Sequence, residues 1–126
     1  IMGMPKRYIL SDKLIAIVQQ FGSDCHAITM GLMVSGDWFV DSREKMREIM
    51  QHFPEAKAVD MESCSIAQVC YTFGVPFVSF RIISDVPLKD HKAEMYFDFW
   101  ERLADGSFEV THRFVERLQQ VGNVLK

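Results

Sequence analysis

Apolar residues recur at helical spacing in four stretches of the chain. Leu14, Ile17, Val18 and Phe21 fit the i, i+3, i+4, i+7 template, with Ser11 and Asp12 as cap candidates and Gly22 as the expected stop. Met46, Ile49, Met50 and Phe53 repeat the pattern behind Asp41 and Ser42, and Glu44 stands three residues after Asp41, the spacing of a capping box. Ile66, Val69, Cys70 and Phe73 form a third face, closed by Gly74 and Pro76. Phe114, Val115, Leu118 and Val121 predict a terminal helix with looser periodicity. Between them lie apolar runs of strand length at Ala27–Val34, Ala56–Met61 and Phe77–Ile83. Their near-continuous hydrophobicity predicts strands covered on both faces. The pattern therefore reads as an α/β domain, a layered sheet with helices on both faces. Tyr96, Phe99, Trp100 and Leu103 add a short helix within His91–Asp105.

Composition narrows the function classes. The chain has 126 residues, of which 48% are hydrophobic, and a formal net charge of −3, so one globular domain over residues 1–126 is expected. No block of Lys and Arg is present to neutralise phosphates or an anionic bilayer, which argues against nucleic acid or a membrane surface as partner. No apolar run approaches the roughly 18 to 20 residues of a bilayer span, and no secretory leader pattern is seen, so a cytoplasmic location is expected. Cys25, Cys64 and Cys70 form no CxxC pair and read as buried structural thiols. His26, His52, His91 and His112 are scattered without ligand spacing, so no metal is expected. Ile1 opens the chain without an initiator Met, and Gly3-Met4-Pro5 has the character of an internal loop, which suggests a start within a longer protein.

Ligands of open α/β sheets gather at the carboxyl ends of the strands, and three polar segments follow apolar runs here. They are Ser35-Gly36-Asp37-Trp38-Phe39-Val40, Asp60-Met61-Glu62-Ser63 and Ser84-Asp85. Taken singly, each has an ordinary structural reading: Asp37 in a turn, Glu62 near a helix N-terminus, Asp85 ending a strand. Together they suit the splitting of a nucleoside, which passes through an oxocarbenium-like sugar. One carboxylic acid can protonate the purine, a second carboxylate can grip the ribose hydroxyls, and an aromatic face can stack on the base. The acid has to stay protonated near neutrality, which calls for a desolvated site.

Gly31–Val40, Ala58–Ser63 and Val75–Asp85 resemble, in order and spacing, three segments of methylthioadenosine/S-adenosylhomocysteine nucleosidases. The similarity runs from about Ser11 to the C-terminus. The resemblance implies a partial nucleoside phosphorylase/hydrolase-like fold, with these residues as its C-terminal portion and the N-terminal part absent. It further implies that Asp85 protonates adenine at N7 with Ser84 orienting it. Glu62 would bind the ribose hydroxyls, with Met61 against the sugar. Phe39 would stack on adenine, the main chain of Val40 would read the base edge, and Phe97 would line the 5′-alkylthio pocket. Family members are metal-independent, need no cofactor, and are cytoplasmic homodimers that release adenine from 5′-methylthioadenosine or S-adenosylhomocysteine. They also carry an N-terminal acidic residue that activates the attacking water, and nothing in Ile1–Ser11 stands for it. Trp38, Ser63-Cys64-Ser65 and Pro87-Leu88-Lys89 vary on the commoner family patterns. A purine nucleoside phosphorylase of the same superfamily, attacking with phosphate, is the nearest alternative. A catalytically inactive fragment or interaction module is the alternative from another class.

Overall fold

Ser11 sets the start of the first helix, its side-chain oxygen accepting from the Leu14 amide at 3.3 Å and its carbonyl from the Ile15 amide at 2.9 Å. The computed structural model describes residues 2–24 and 28–122. Its elements are α1 (Asp12–Asp24), β1 (Leu32–Ser35), α2 (Arg43–His52), β2 (Ala56–Asp60), α3 (Ser63–Thr72) and α4 (Lys92–Val121). Helices and a small parallel sheet alternate along the chain, in keeping with the α/β class.

The chain packs as two units. The first draws on the residues up to Thr29, Ser63–Phe80 and those from Glu109 onward. Its core is the predicted face of α1, where Leu14, Ile17 and Val18 are buried. Ile17 and Val18 join Phe114, and Ile28, Val78, Phe80, Val110 and Leu118 pack around them. Phe80 meets Phe114 edge-on with ring centroids 4.8 Å apart, a geometry favoured by the ring quadrupoles. Helix α3 contributes buried Ser63 and Ala67, and the Ser63 and Ser79 hydroxyls are hydrogen-bonded at 3.1 Å. Its C-terminus is a Schellman turn: Gly74 has φ +65°, the Val75 amide donates to the Cys70 carbonyl at 2.8 Å and the Gly74 amide to the Tyr71 carbonyl at 3.2 Å. The predicted stop at Gly74-Pro76 is thus satisfied by named bonds.

The second unit comprises Met30–Glu62 and Arg81–Phe108. Strands β1 and β2 pair in parallel, with Val34 opposite Val59 and Ser35 opposite Asp60. The register shifts between Leu32 and Met33, so Lys57 stands opposite no β1 residue. Gly31 explains how the Lys57 stem passes: a Cβ there would lie 2.3 Å from Lys57 Cγ. Helix α2 joins the two strands, as a parallel pair requires.

Several sequence expectations change. Gly22 lies inside α1 and is no stop, because one glycine costs only about 1 kcal/mol in a helix whose face is buried. The cap of α2 is Ser42, whose hydroxyl accepts from the Lys45 amide at 3.3 Å, while Asp41 instead pairs with Lys45 at 2.9 Å. Strand β1 is confined to Leu32–Ser35, and Ala27, at the start of the expected run, falls outside the described residues together with Cys25 and His26. The run Phe77–Ile83 forms no strand. Val78 and Phe80 are packed on the first unit's core while Ile82 and Ile83 are exposed, and pairing needs an open sheet edge that hydrophobicity alone does not supply. The short helix near Tyr96 and the terminal helix are one element, α4. Cys64 and Cys70 are in no disulfide among the described residues and are half-buried rather than fully buried.

Candidate functional site

The carboxyl edge of β1 and β2 carries the first two polar segments into loops. After β1, the Gly36 amide donates to the Asp60 carbonyl at 3.2 Å, which prolongs the strand pairing by one bond. The loop beyond it is held by Lys45, whose ammonium donates to the Phe39 carbonyl at 3.1 Å and to the Asp41 carboxylate at 2.9 Å. This clamp grips the backbone of Phe39 and leaves its ring 70% exposed, so a flat face is available for stacking. Val40 lines a cavity of about 250 Å³ together with Val34, Asp37, Ile49, Val59 and Asp60. The volume is just under the roughly 300–1,000 Å³ usual for small-molecule sites.

Glu62 sits where the chain leaves β2. Its carboxylate accepts from the Met61 amide at 3.3 Å, and both side chains are exposed. A carboxylate presented in this way can accept two hydroxyls of a sugar. In the third segment the Ser84 hydroxyl donates to the Asp85 carboxyl at 2.6 Å, and both residues are half-buried. This bond engages one of the two carboxyl oxygens of Asp85. Phe97, on the first turns of α4, is 70% exposed, with its ring edge-on to Tyr96 at 6.2 Å. Of the residues singled out from the sequence, Val40 lines the cavity, and Phe39, Met61, Glu62, Ser84, Asp85 and Phe97 lie outside its lining.

The structure adds a pair that sequence reasoning passed over. Arg81 Nε donates to the Asp60 carboxylate at 2.7 Å, and the Asp60 side chain is only 10% exposed. Asp60 thus contacts the loop after β1 through its carbonyl and the segment before Asp85 through its carboxylate. The signal was present: Arg81 is a lone charge in the apolar run Phe77–Ile83, and such a charge needs a partner. A second ion pair, Arg43 with Asp90, ties the start of α2 to the loop that follows Asp85. Among the described residues, no cluster of three or more His, Cys, Asp or Glu could hold a metal ion, and no helix is long and apolar enough to cross a membrane.

Comparison with known proteins gives this geometry a context. A 5′-methylthioadenosine/S-adenosylhomocysteine nucleosidase of Exiguobacterium is 36% identical over 121 residues, covering 94% of this chain and 51% of its own. A Borrelia burgdorferi B31 protein assigned as a nucleosidase of the same type, solved with adenine bound, superposes with a TM-score of 0.82 at 28% identity over 94% of this chain and 51% of that one. The futalosine hydrolase of Helicobacter pylori 26695 gives 0.78 at 30% identity, over 94% and 50%. The chain spans about half the length of the curated relatives it matches. The model of the phosphorylase superfamily matches residues 3–119, nearly the whole of the chain. With that match and this fold, the chain belongs to the phosphorylase superfamily.

Proposed function

We propose that the full-length enzyme containing this chain hydrolyses the N-glycosidic bond of 5′-methylthioadenosine or S-adenosylhomocysteine, releasing adenine and the 5-thioribose product. The observation that supports it most is the convergence of three functional segments on Asp60, which bonds to Gly36 and Arg81 and leads directly into Met61-Glu62. Asp85, oriented by Ser84, delivers a proton to purine N7 as the C1′–N9 electron pair moves into the base. Positive charge develops on the ribose, and Glu62 holds its hydroxyls while Met61 packs against the ring. Phe39 stacks on the purine, the Val40 main chain reads its edge, and Phe97 faces the 5′-substituent. Water adds to C1′ as its proton passes to the N-terminal acidic residue that the family resemblance implies, and exchange with solvent returns that residue to carboxylate and Asp85 to its acid form. A cytoplasmic homodimer is the setting we propose, on the strength of the family resemblance. Residues 1–126 form the C-terminal portion of a nucleosidase-like domain in this reading.

Incubation of the full-length protein with 5′-methylthioadenosine in phosphate-free buffer, with adenine followed chromatographically, tests the proposal. Release without phosphate supports hydrolysis. Release only on adding phosphate transfers the assignment to a phosphorylase, and none under either condition overturns it. Futalosine is the comparison substrate, because one structural neighbour is a futalosine hydrolase. Faster cleavage of futalosine would move the substrate assignment while leaving the reaction type.

A further inference from the structure

We propose that the Asp60–Arg81 ion pair is a positioning device that sets Glu62 and Asp85 relative to one another. Its catalytic consequence rests on the nucleosidase reading above, whereas its structural consequence does not.

Asp60 is the last residue of β2, and the chain leaves the strand there to present Glu62 two residues later. Arg81 stands three residues before Ser84 and four before Asp85. The segment carrying Asp85 belongs to no strand, so no ladder of backbone bonds fixes its distance from β2. The contact from Arg81 Nε to the Asp60 carboxylate, at 2.7 Å, supplies that fixation. A charge-assisted bond of this length is among the stronger and more directional links available to side chains. It is also sheltered, since the Asp60 side chain is 10% exposed and that of Arg81 37%. Solvent screening, which makes most surface ion pairs ineffective, is reduced accordingly. Asp60 is fixed on its other side by the bond from the Gly36 amide to its carbonyl, which ties it to the loop that carries Phe39. Loss of the pair would free the Asp85 segment from β2 and leave the β1–β2 ladder in place.

The sheltering also argues against a role in stability alone. A partly buried ion pair is often no more stabilising than an apolar pair of the same volume, so stability does not explain a charged residue in the middle of Phe77–Ile83. Geometry does: Arg81 Nε reaches the strand-end carboxylate at 2.7 Å, and a planar guanidinium is suited to holding one orientation there.

Hydrogen exchange followed by mass spectrometry on the 126-residue chain, comparing wild type with Asp60→Asn and Arg81→Lys, tests the structural consequence. The expected result for Asp60→Asn is exchange about tenfold faster in residues 60–63 and 81–86, with α1 unchanged. Arg81→Lys, which retains charge but loses the planar fork, is expected to fall between the two, and it carries the test should Asp60→Asn not fold. Exchange that is unchanged, or accelerated uniformly along the chain, overturns the proposal. In protein that releases adenine, Asp60→Asn is expected to lower kcat by about 10²-fold, the effect of a misplacement on the order of 1 Å, with KM little moved and partial recovery in Arg81→Lys. A rise in KM at constant kcat, or wild-type kinetics despite faster local exchange, overturns the positioning role. If wild-type protein releases no adenine, the nucleosidase reading fails, and exchange alone decides whether the pair fixes the segment.

Discussion

The Asp85 carboxyl is held by the Ser84 hydroxyl at 2.6 Å, and this single contact makes its proposed role open to a clean substitution. Asparagine keeps the shape and can still accept from Ser84, yet it has no acidic proton to give. Asp85→Asn is expected to lower kcat by about 10²- to 10⁴-fold, the usual worth of a general acid, with the circular dichroism spectrum unchanged. Wild-type turnover in this variant would remove Asp85 from the mechanism. Tyr8 offers a different test at the same scale. Its hydroxyl is buried, with the Gln68 amide near it but outside good hydrogen-bonding geometry. Burial raises its pKa above the ordinary 10.0, the neighbouring Cys64 and Tyr71 add to the rise, and the Gln68 amide pulls the other way. The fold thus favours the neutral phenol: that contribution is complete below the ordinary value and is lost as pH rises through the raised one. Tyr8→Phe removes this poorly satisfied hydroxyl, and a higher Tm together with a flatter loss of stability above pH 10 is expected from thermal unfolding across alkaline pH. A lower Tm would show that the hydroxyl is satisfied in solution.

Among the elements, the end of α3 is the most sharply determined. Gly74 takes φ +65° so that two otherwise unpaired carbonyls, those of Cys70 and Tyr71, can be satisfied. A side chain at that angle is penalised by about 1–2 kcal/mol, so Gly74→Ala is expected to lower unfolding free energy by that amount in a urea titration. This helix end was legible in the sequence because its signal is local: a glycine, then a proline, after a periodic face. The interior of α1 was legible for the same kind of reason, since Leu14, Ile17 and Val18 declare one side of a helix and are the residues found buried. The site segments after β1 and β2 were found through the same logic of apolar run followed by polar turn. What escaped depended on partners distant in sequence. Phe77–Ile83 reads as a strand from its residues, but a strand also needs a neighbour. The union of two expected helices into α4 was hidden by Gly106, which lowers local propensity by roughly 1 kcal/mol without breaking a helix whose Val110, Phe114 and Leu118 are seated on a core. The Asp60–Arg81 pair spans 21 residues of sequence, and no motif links two charges at that separation.

At the scale of the whole molecule, many apolar side chains are exposed among the described residues, and two sets of them are close in sequence. Ile66 and Val69 lie on α3 at i and i+3, and Phe73 follows in the turn after it, all three exposed. Tyr96, Phe97 and Trp100 are exposed together near the start of α4, where Tyr96 and Trp100 stack edge-on at 6.0 Å. Contiguous apolar surface of this kind binds hydrophobic dyes. The 126-residue chain is expected to enhance anilinonaphthalene sulfonate fluorescence at neutral pH, and the double substitution Val69→Ser, Phe73→Ser should reduce the signal without lowering Tm. Unchanged fluorescence would locate the dye elsewhere. The superfamily match covers residues 3–119 and so includes both groups.

The parallel pairing of β1 with β2 also bears on how the molecule reaches this state. Two parallel neighbours cannot zip from a tight turn; the chain between Ser35 and Ala56, with α2 inside it, has to be closed before the first rung forms. Closure of that kind is paid in chain entropy ahead of any reward, and it slows assembly. The Gly36–Asp60 bond is the far rung of the ladder, and the Arg81 contact needs a further closure after it. On this account the groups proposed to handle the nucleoside are among the last to come into register during folding. A chain newly released from the ribosome would then hold native helices for some time before it could recognise a substrate.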